Sequence, residues 1–234
     1  MELSVRLNEI IYLVDKCNII ADIGTDHGYI PIYLIKNNFC NLAIASDVNL
    51  GPKRKAELNI SMEGLTEKIH CRLGDGLNTI KPYEVQAVII AGMGGYLIRD
   101  ILEERLDVFK SLDYAILQPA QNPEILRKYI YERGFKIIDE KLCFEQNKYY
   151  ETIKIVYDNK PKIEDSFYYE ISKIFIQNKH PLIKDYVKYK LLVYNKIYKE
   201  IKDGAETAKK RKVLLKLRID KLKELLLCLQ RLKI

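Results

Sequence analysis

Two carboxylates, an imidazole and two glycines fall within the short stretch Asp22-Ile23-Gly24-Thr25-Asp26-His27-Gly28-Tyr29. Glycines in such a stretch let the backbone turn tightly and approach a bound nucleotide, and a helix opening beyond them offers free N–H groups. The spacing is not the GxGxxG of dinucleotide binders, because Asp26 stands where their second glycine would be. A carboxylate there repels a pyrophosphate but suits a cofactor that carries a sulfonium and an ammonium. Taken alone, the stretch is equally an ordinary glycine-containing strand-to-helix turn.

Three further groups strengthen it. Asp47 lies about 20 residues past Gly24, where an acidic side chain accepts hydrogen bonds from ribose hydroxyls. A helix cap is the alternative, since Gly51-Pro52 opens a helix soon after. Gly74-Asp75-Gly76 sets a carboxylate where an adenine N6 amine could meet it, or forms a plain Asp-Gly turn. Ala91-Gly92-Met93-Gly94-Gly95 concentrates glycine at a cost in chain entropy, which makes sense where backbone passes close to a ligand.

These groups need a scaffold that brings them to one edge. Leu3, Leu7, Ile10, Ile11 and Val14 recur at helical spacing and predict an amphipathic helix over 3–16. Ile19 to Ile23 is a short apolar run that stops at Gly24, as a buried strand would. Helical patterns over 29–37, 50–61, 95–106 and 122–133 alternate with β-like runs over 42–46, 68–72, 86–91 and 113–118. That alternation predicts right-handed βαβ units and a parallel sheet covered on both faces. All four motifs then fall at the C-terminal ends of strands, where open α/β sheets bind ligands. Their joint placement points to a nucleoside-type cofactor more firmly than any one of them. Segments 135–144 and 148–157 are separated only by Glu145-Gln146-Asn147, too short for a crossover helix, and read as an antiparallel hairpin.

Asp158-Asn159-Lys160-Pro161 interrupts the pattern and predicts a boundary between domains 1–158 and 159–234. Beyond it the chain reads as helix only. Leu182, Tyr186, Tyr189, Val193, Ile197 and Ile201 form one seam. After Asp203-Gly204 a second seam runs through Leu214, Leu217, Leu222, Leu225 and Leu229. Two such helices predict an antiparallel, coiled-coil-like hairpin.

The 234 residues are 48% hydrophobic and 30% charged, which excludes a mostly disordered chain and leaves ample length for a core. The net charge of +7 is unevenly spread. Residues 1–157 hold 19 Lys and Arg against 22 Asp and Glu, whereas 158–234 hold 20 against 10. A basic C-terminal third suggests a polyanionic partner. Cys17, Cys40, Cys71, Cys143 and Cys228 form no CxxC and no even framework, so reduced thiols in a cytoplasmic protein are expected, with no metal site. Charges at Glu2, Arg6, Glu9 and Asp15 interrupt any signal-peptide core. No run approaches the ~20 apolar residues of a membrane span, so no membrane association is expected.

The order of elements resembles a class I S-adenosylmethionine-dependent methyltransferase, with its Rossmann-like sheet and terminal antiparallel hairpin. More narrowly, Asp22 to Tyr29 with Ile30-Pro31, Asp47 through Gly51-Pro52, Gly74 to Leu77, Ala91 to Gly95 and Leu117-Gln118-Pro119 resemble the bacterial tRNA (adenine-22-N1)-methyltransferase family over the whole chain. Asp-His-Gly stands where the family more often has Asp-His-Ala, a change that leaves the chemistry intact. Ala120 follows Pro119 where many members carry a polar residue, a departure from the family that bears on any substrate role of position 120. The resemblance implies methyl transfer from S-adenosyl-L-methionine to N1 of adenine 22 in tRNA. Exocyclic-amine methyltransferases usually carry an Asn/Asp-Pro-Pro-aromatic motif after the fourth strand. Ala-Gly-Met-Gly-Gly in its place favours a ring nitrogen.

Roles follow from that resemblance. Asp26 is expected to be the catalytic carboxylate, accepting from adenine N6 or balancing charge on the methylated ring; a cofactor-side or capping carboxylate is the alternative. His27 would orient Asp26 or touch the cofactor, and Gln118 would hydrogen-bond the base. Asp22, Gly24, Thr25, Gly28, Asp47, Val48, Asp75, Gly76, Ala91, Gly92, Met93 and Gly94 are expected around the cofactor. Tyr29, Gly95 and Pro119 are expected on the substrate side, Tyr29 stacking on the base. Lys188, Lys196, Lys199, Lys209, Lys210, Arg211 and Lys212 would contact tRNA phosphates, and Tyr186, Tyr189, Tyr194 and Tyr198 unpaired bases. The other view of these helices is a solvated charged face over a tyrosine core. Two other functions stay open: a methyltransferase of another RNA, a protein or a small molecule, and a non-catalytic nucleic-acid-binding adaptor. Intact Asp22, Gly24, Asp47, Asp75 and the glycine-rich fourth loop speak against the adaptor.

Overall fold

Parallel strands buried on both faces read as continuous apolar runs, and the runs seen in the sequence become the central strands. They are β1 (Ile19–Ile23), β2 (Leu42–Asp47), β3 (Ile69–Leu73), β4 (Ala87–Gly94) and β5 (Tyr114–Gln121). The hairpin forms as β6 (Phe135–Glu145) and β7 (Lys148–Tyr157). The computed structural model describes residues 3–202 and 206–231. The chain divides into two compact units, Met1–Glu164 and Asp165–Ile234, just beyond the boundary expected after residue 158.

In the first unit the seven strands lie in the order β3-β2-β1-β4-β5-β7-β6. β1 to β5 pair parallel, and β7 runs antiparallel to both β5 and β6. The chain steps outward from β1 to β3 and then returns to lay β4 beside β1. The order therefore reverses between β1 and β4, the place where such sheets open a ligand crevice. Ala87, Val88, Ile89 and Ile90 of β4 are fully buried, so the centre of the core lies directly beneath that crevice.

The covering helices are α1 (Val5–Tyr12), α2 (Tyr29–Lys36), α3 (Leu50–Met62), α4 (Gly95–Glu104), α5 (Leu106–Lys110) and α6 (Pro123–Glu132). α1 is shorter than the 3–16 expected. Ser4 caps it, and the apolar spacing continues past it because Leu13 and Val14 fill the core from its last turn. The single helix expected over 95–106 breaks at Arg105, whose backbone leaves the helical region. Behind the sheet end, the fully buried Arg127 of α6 bonds Glu140 of β6 at 2.6 Å and Glu151 of β7 at 2.5 Å. This pins the hairpin to its helix.

The second unit holds α7 (Ser166–Glu170), α8 (Lys173–Gln177), α9 (Ile183–Glu200) and α10 (Glu206–Arg231), with α9 and α10 packed on each other. The expected Asp203-Gly204 turn lies outside the described residues. The second seam is corrected in phase. Leu214 and Leu217 are exposed, whereas Leu215, Ile219, Leu222 and Leu229 are buried. α10 carries leucines on several faces, and the stripe at spacings of four, three and seven is the one that meets a neighbour. In α9, Ile183, Tyr186 and Val187 form the buried end. Among the described residues no helix is long and apolar enough to cross a membrane, and no cluster of three metal-ligating side chains occurs.

Candidate functional site

A cavity of about 770 Å³ opens at the C-terminal ends of β1 to β4. The turn after β1 is tied to its neighbour by the Gly24 and Thr25 N–H groups, which both donate to the Ser46 carbonyl at 2.8 Å. Gly24 has φ +80°, and a Cβ there would lie 2.1 Å from Met93 Cε. The left-handed backbone is the firmer demand for glycine, because the Met93 methyl is the movable end of a flexible side chain. Asp47, at the end of β2, is nearly buried; its Oδ1 accepts from the Asn49 N–H at 2.7 Å, and its carbonyl accepts from the Gly74 N–H at 3.0 Å. Its second carboxylate oxygen has no such partner among the described residues, so the local turn and a ligand can share this side chain.

Asp22 is buried beneath the first turn. Burial raises its pKa to about 6, the Thr25 hydroxyl opposes that rise and the Asp47 charge adds to it. Asp26 is exposed at the mouth, 70% of its side chain accessible, with Oδ2 3.3 Å from His27 Nε2. The His27 ring stacks on Tyr29 with centroids 5.1 Å apart and planes 7° from parallel. Asn59 holds this loop by donating to the His27 carbonyl at 2.9 Å. The mouth thus presents a carboxylate beside a stacked pair of rings.

Asp22, Gly24, Thr25, Asp26, His27, Gly28, Tyr29, Asp47, Val48, Asp75, Gly76, Ala91, Gly92 and Met93 all line this one cavity. Gly94, Gly95, Gln118 and Pro119 do not. Gly95 has a packing reason to be glycine, since a Cβ there would lie 2.2 Å from the Asn122 carbonyl oxygen. Gln118 is fully buried, its Nε2 donating to the Pro119 carbonyl at 3.0 Å and its Oε1 accepting from Arg6 Nη1 at 2.7 Å. The amide is thus buried against Arg6 and Pro119, outside the cavity lining.

Gly74, from the expected Gly74-Asp75-Gly76 turn, lines the cavity too, and sequence reasoning missed Arg6, Leu7, Asn49, Leu97 and Ile101, which also line it. Leu7 was visible only as part of an amphipathic stripe. No spacing marks Arg6, which arrives by the packing of α1.

The cavity suits the nucleoside-type cofactor expected. Carboxylates at the ends of β1, β2 and β3 match amines, hydroxyls and positive charge, and the β4 loop supplies an open backbone wall at Gly92, where a Cβ would meet nothing.

In the second unit, Lys188, Lys196, Lys199, Lys209, Lys210 and Arg211 are exposed. Lys188 pairs with Asp185 at 2.9 Å. Lys212 lies over the Tyr198 ring, 5.4 Å from its centroid. Tyr186 is buried and Tyr194 bonds Glu170, so those two serve the core rather than unpaired bases. Tyr189 remains exposed.

Comparison with known proteins gives a consistent result. The family model TrmK, described as tRNA (adenine(22)-N(1))-methyltransferase, matches residues 20–224. The tRNA (adenine(22)-N(1))-methyltransferase of Bacillus subtilis is 37% identical over 153 residues, 65% of this chain and 64% of that protein. The chain thus spans just under two thirds of that curated relative. The crystal structure of the B. subtilis m1A22 tRNA methyltransferase TrmK has a TM-score of 0.86 at 31% identity, covering 96% of this chain and 99% of that one. The structure of M. capricolum TrmK in complex with S-adenosyl-homocysteine has a TM-score of 0.83 at 28% identity, covering 97% and 98%.

Proposed function

Because the chain belongs to the tRNA (adenine(22)-N(1))-methyltransferase family, we propose that it transfers a methyl group from S-adenosyl-L-methionine to N1 of adenine 22 in tRNA. The observation that carries this reading is the convergence of the family's strand-end turns on one cavity whose polar lining is dominated by carboxylates. Bound there, S-adenosylmethionine supplies an electrophilic methyl group on a sulfonium. Asp47 would hold the ribose hydroxyls through the carboxylate oxygen that the Asn49 N–H does not engage. Asp75 and its flanking backbone would hold the adenine, and Met93 with Gly24 would wall the cavity between β1 and β4.

Adenine N1 carries an in-plane lone pair, so the chain has no proton to remove before transfer. Its work is alignment, which removes the entropy of bringing the partners together. The product ring carries a positive charge. The exposed carboxylate of Asp26, steadied by His27, stabilises that charge at the mouth. The paired rings of His27 and Tyr29 give the extruded base a flat surface to stack against. The basic segment 159–234 grips the tRNA phosphates, Lys188, Lys196, Lys199 and Lys209 to Lys212 among them. A tRNA substrate goes with a cytoplasmic site of action.

Primer extension on tRNA incubated with chain and methyl donor tests the proposal. N1-methylation blocks Watson–Crick pairing, so a new stop adjacent to adenine 22 is expected. A stop elsewhere, or none, refutes it.

A further inference from the structure

Part of the second unit's positive charge borders an apolar hollow. Lys209, Lys212, Val213, Lys216 and Leu217 follow one another at steps of three, one, three and one, so they share a single face of α10. With Tyr198 of α9 they line a cavity of about 340 Å³, and among the described residues none of its lining side chains is a carboxylate. Lys216 pairs with Asp220, one turn further along α10, at 3.2 Å. Val213 is 61% and Leu217 58% exposed, so this face is distinct from the buried stripe through Leu215, Ile219 and Leu222. Apolar surface is thus left in water on the floor of a cationic rim.

Lysines alone would suit any polyanion, and it is the floor that narrows the choice. Tyr198 is half-buried, and the Lys212 ammonium lies 5.4 Å from its ring centroid, over the electron-rich face. A tyrosine ring flanked by aliphatic side chains suits a flat, unstacked heterocycle, whereas a base inside a duplex presents only its phosphate. Lys209 and Lys216 stand seven residues apart, about 10 Å along the helix, so cations lie on both sides of a base seated between them. A lipid surface asks for a continuous apolar face, which the lysines at 209, 212 and 216 interrupt. A second copy of the chain would bring like charges together at this face. Tyr186 and Tyr194 serve the core, and among the described residues Tyr198 is the α9 tyrosine that lines the cavity.

We infer that this cavity seats one unpaired nucleotide of the tRNA, with its base on the Tyr198 ring beside Val213 and Leu217 and its flanking phosphates on Lys209, Lys212 and Lys216. This rests on the tRNA reading above and goes beyond it. Phosphate contacts carry no information about which nucleotide is held. A seated base selects one unpaired position, so the helical unit recognises the folded shape of the RNA as well as its charge.

Filter binding of the full chain to an unmodified tRNA transcript, at several salt concentrations, tests this. Tyr198→Leu removes the ring and keeps an apolar filler. It is expected to weaken binding about 5- to 100-fold, the range for one stacked base, and to leave the log–log salt slope unchanged. Tyr198→Trp should hold the affinity within about threefold of wild type, because it keeps a ring to stack on. Lys209→Gln should instead lower the slope by about one unit. A benzophenone side chain in place of Leu217 should crosslink on irradiation to one unpaired nucleotide, located by primer extension. Unchanged affinity in Tyr198→Leu would overturn the inference, and so would a loss that Tyr198→Trp shares, which marks a structural role. Crosslinks scattered over many nucleotides would overturn it by showing a solvated face. Sedimentation with phosphatidylglycerol vesicles that Tyr198→Leu abolishes, with tRNA affinity intact, would assign the cavity to a lipid surface. Saturable binding of uridine 5′-monophosphate with the same dependence would assign it to a free nucleotide. Wild-type chain that binds no tRNA would refute the tRNA reading itself, a result distinct from all of these.

Discussion

Replacing Asp22 by Asn should stabilise the ligand-free chain at neutral pH and weaken its hold on the methyl donor. The carboxyl is buried beneath the β1 turn, and its pKa rises from 3.8 to about 6 chiefly through that burial. Below about pH 4 it is protonated in both folded and unfolded chains and costs nothing. Between about 4 and 6 the folded chain keeps a proton that the unfolded chain releases, so stability falls as pH rises through that window. Above 6 the whole cost is present. At about 1.4 kcal/mol for each tenfold change in proton affinity, it amounts to the order of 3 kcal/mol. Asn has nearly the same shape and no charge to desolvate. The variant should therefore melt about 5–10 °C higher than wild type at pH 8, with the gap closing as pH falls toward 4. Urea unfolding of both proteins from pH 4 to 8 measures this directly. A stability difference that does not vary with pH, or one favouring wild type at pH 8, would refute the assignment of a buried, destabilising carboxylate. A bound sulfonium and ammonium should draw Asp22 back toward its charged form. Wild-type affinity for S-adenosylmethionine should accordingly rise between pH 5 and 7, and the variant should lose that dependence.

Two other outcomes test separate parts of the site. Asp47→Asn keeps an oxygen acceptor for the Asn49 N–H and removes the charge offered to the ribose. S-adenosyl-homocysteine binding by calorimetry should weaken by about 1.5–3 kcal/mol, and an affinity within twofold of wild type would refute the ribose role. Changing Lys209, Lys210, Arg211 and Lys212 together to Gln should weaken tRNA binding and flatten its salt dependence, by roughly one unit of log–log slope for each phosphate no longer neutralised. Filter binding at several salt concentrations reads both. Unchanged slope and affinity would leave the run as a solvated face.

The central sheet was legible because doubly buried parallel strands have only one way to be written. Ile19 to Ile23 and Ala87 to Ile90 are nearly unbroken apolar runs, each ending in glycine-bearing turns that mark the C-terminal edge. The helix seams were less legible. α10 carries Leu214, Leu215, Leu217, Leu222, Leu225, Leu226, Leu227 and Leu229, and periodicity alone cannot choose among overlapping stripes. Packing chose Leu215, Ile219, Leu222 and Leu229. Gln118 shows a different limit. It was expected at the end of its strand, but β5 runs on to Gln121, and the direction of a side chain in a strand's last residues depends on what fills the space beside it. Here that is Arg6, far away in sequence.

Arg6 explains why motif reading finds one half of a binding site more readily than the other. The carboxylates sit on turns whose positions follow from the alternation of strand and helix, so spacing alone reveals them. The opposing cation comes from α1, before the first strand, and reaches the cavity only because that helix packs against the β6–β7 side of the sheet. Several interactions maintain that side: Arg127 of α6 ties Glu140 and Glu151, β7 pairs with β5, and β5 carries Gln118. The buried ion cluster costs desolvation that a purely apolar core would avoid. What it supplies is geometry: one guanidinium bonded to both strands fixes α6 on the hairpin that borders β5.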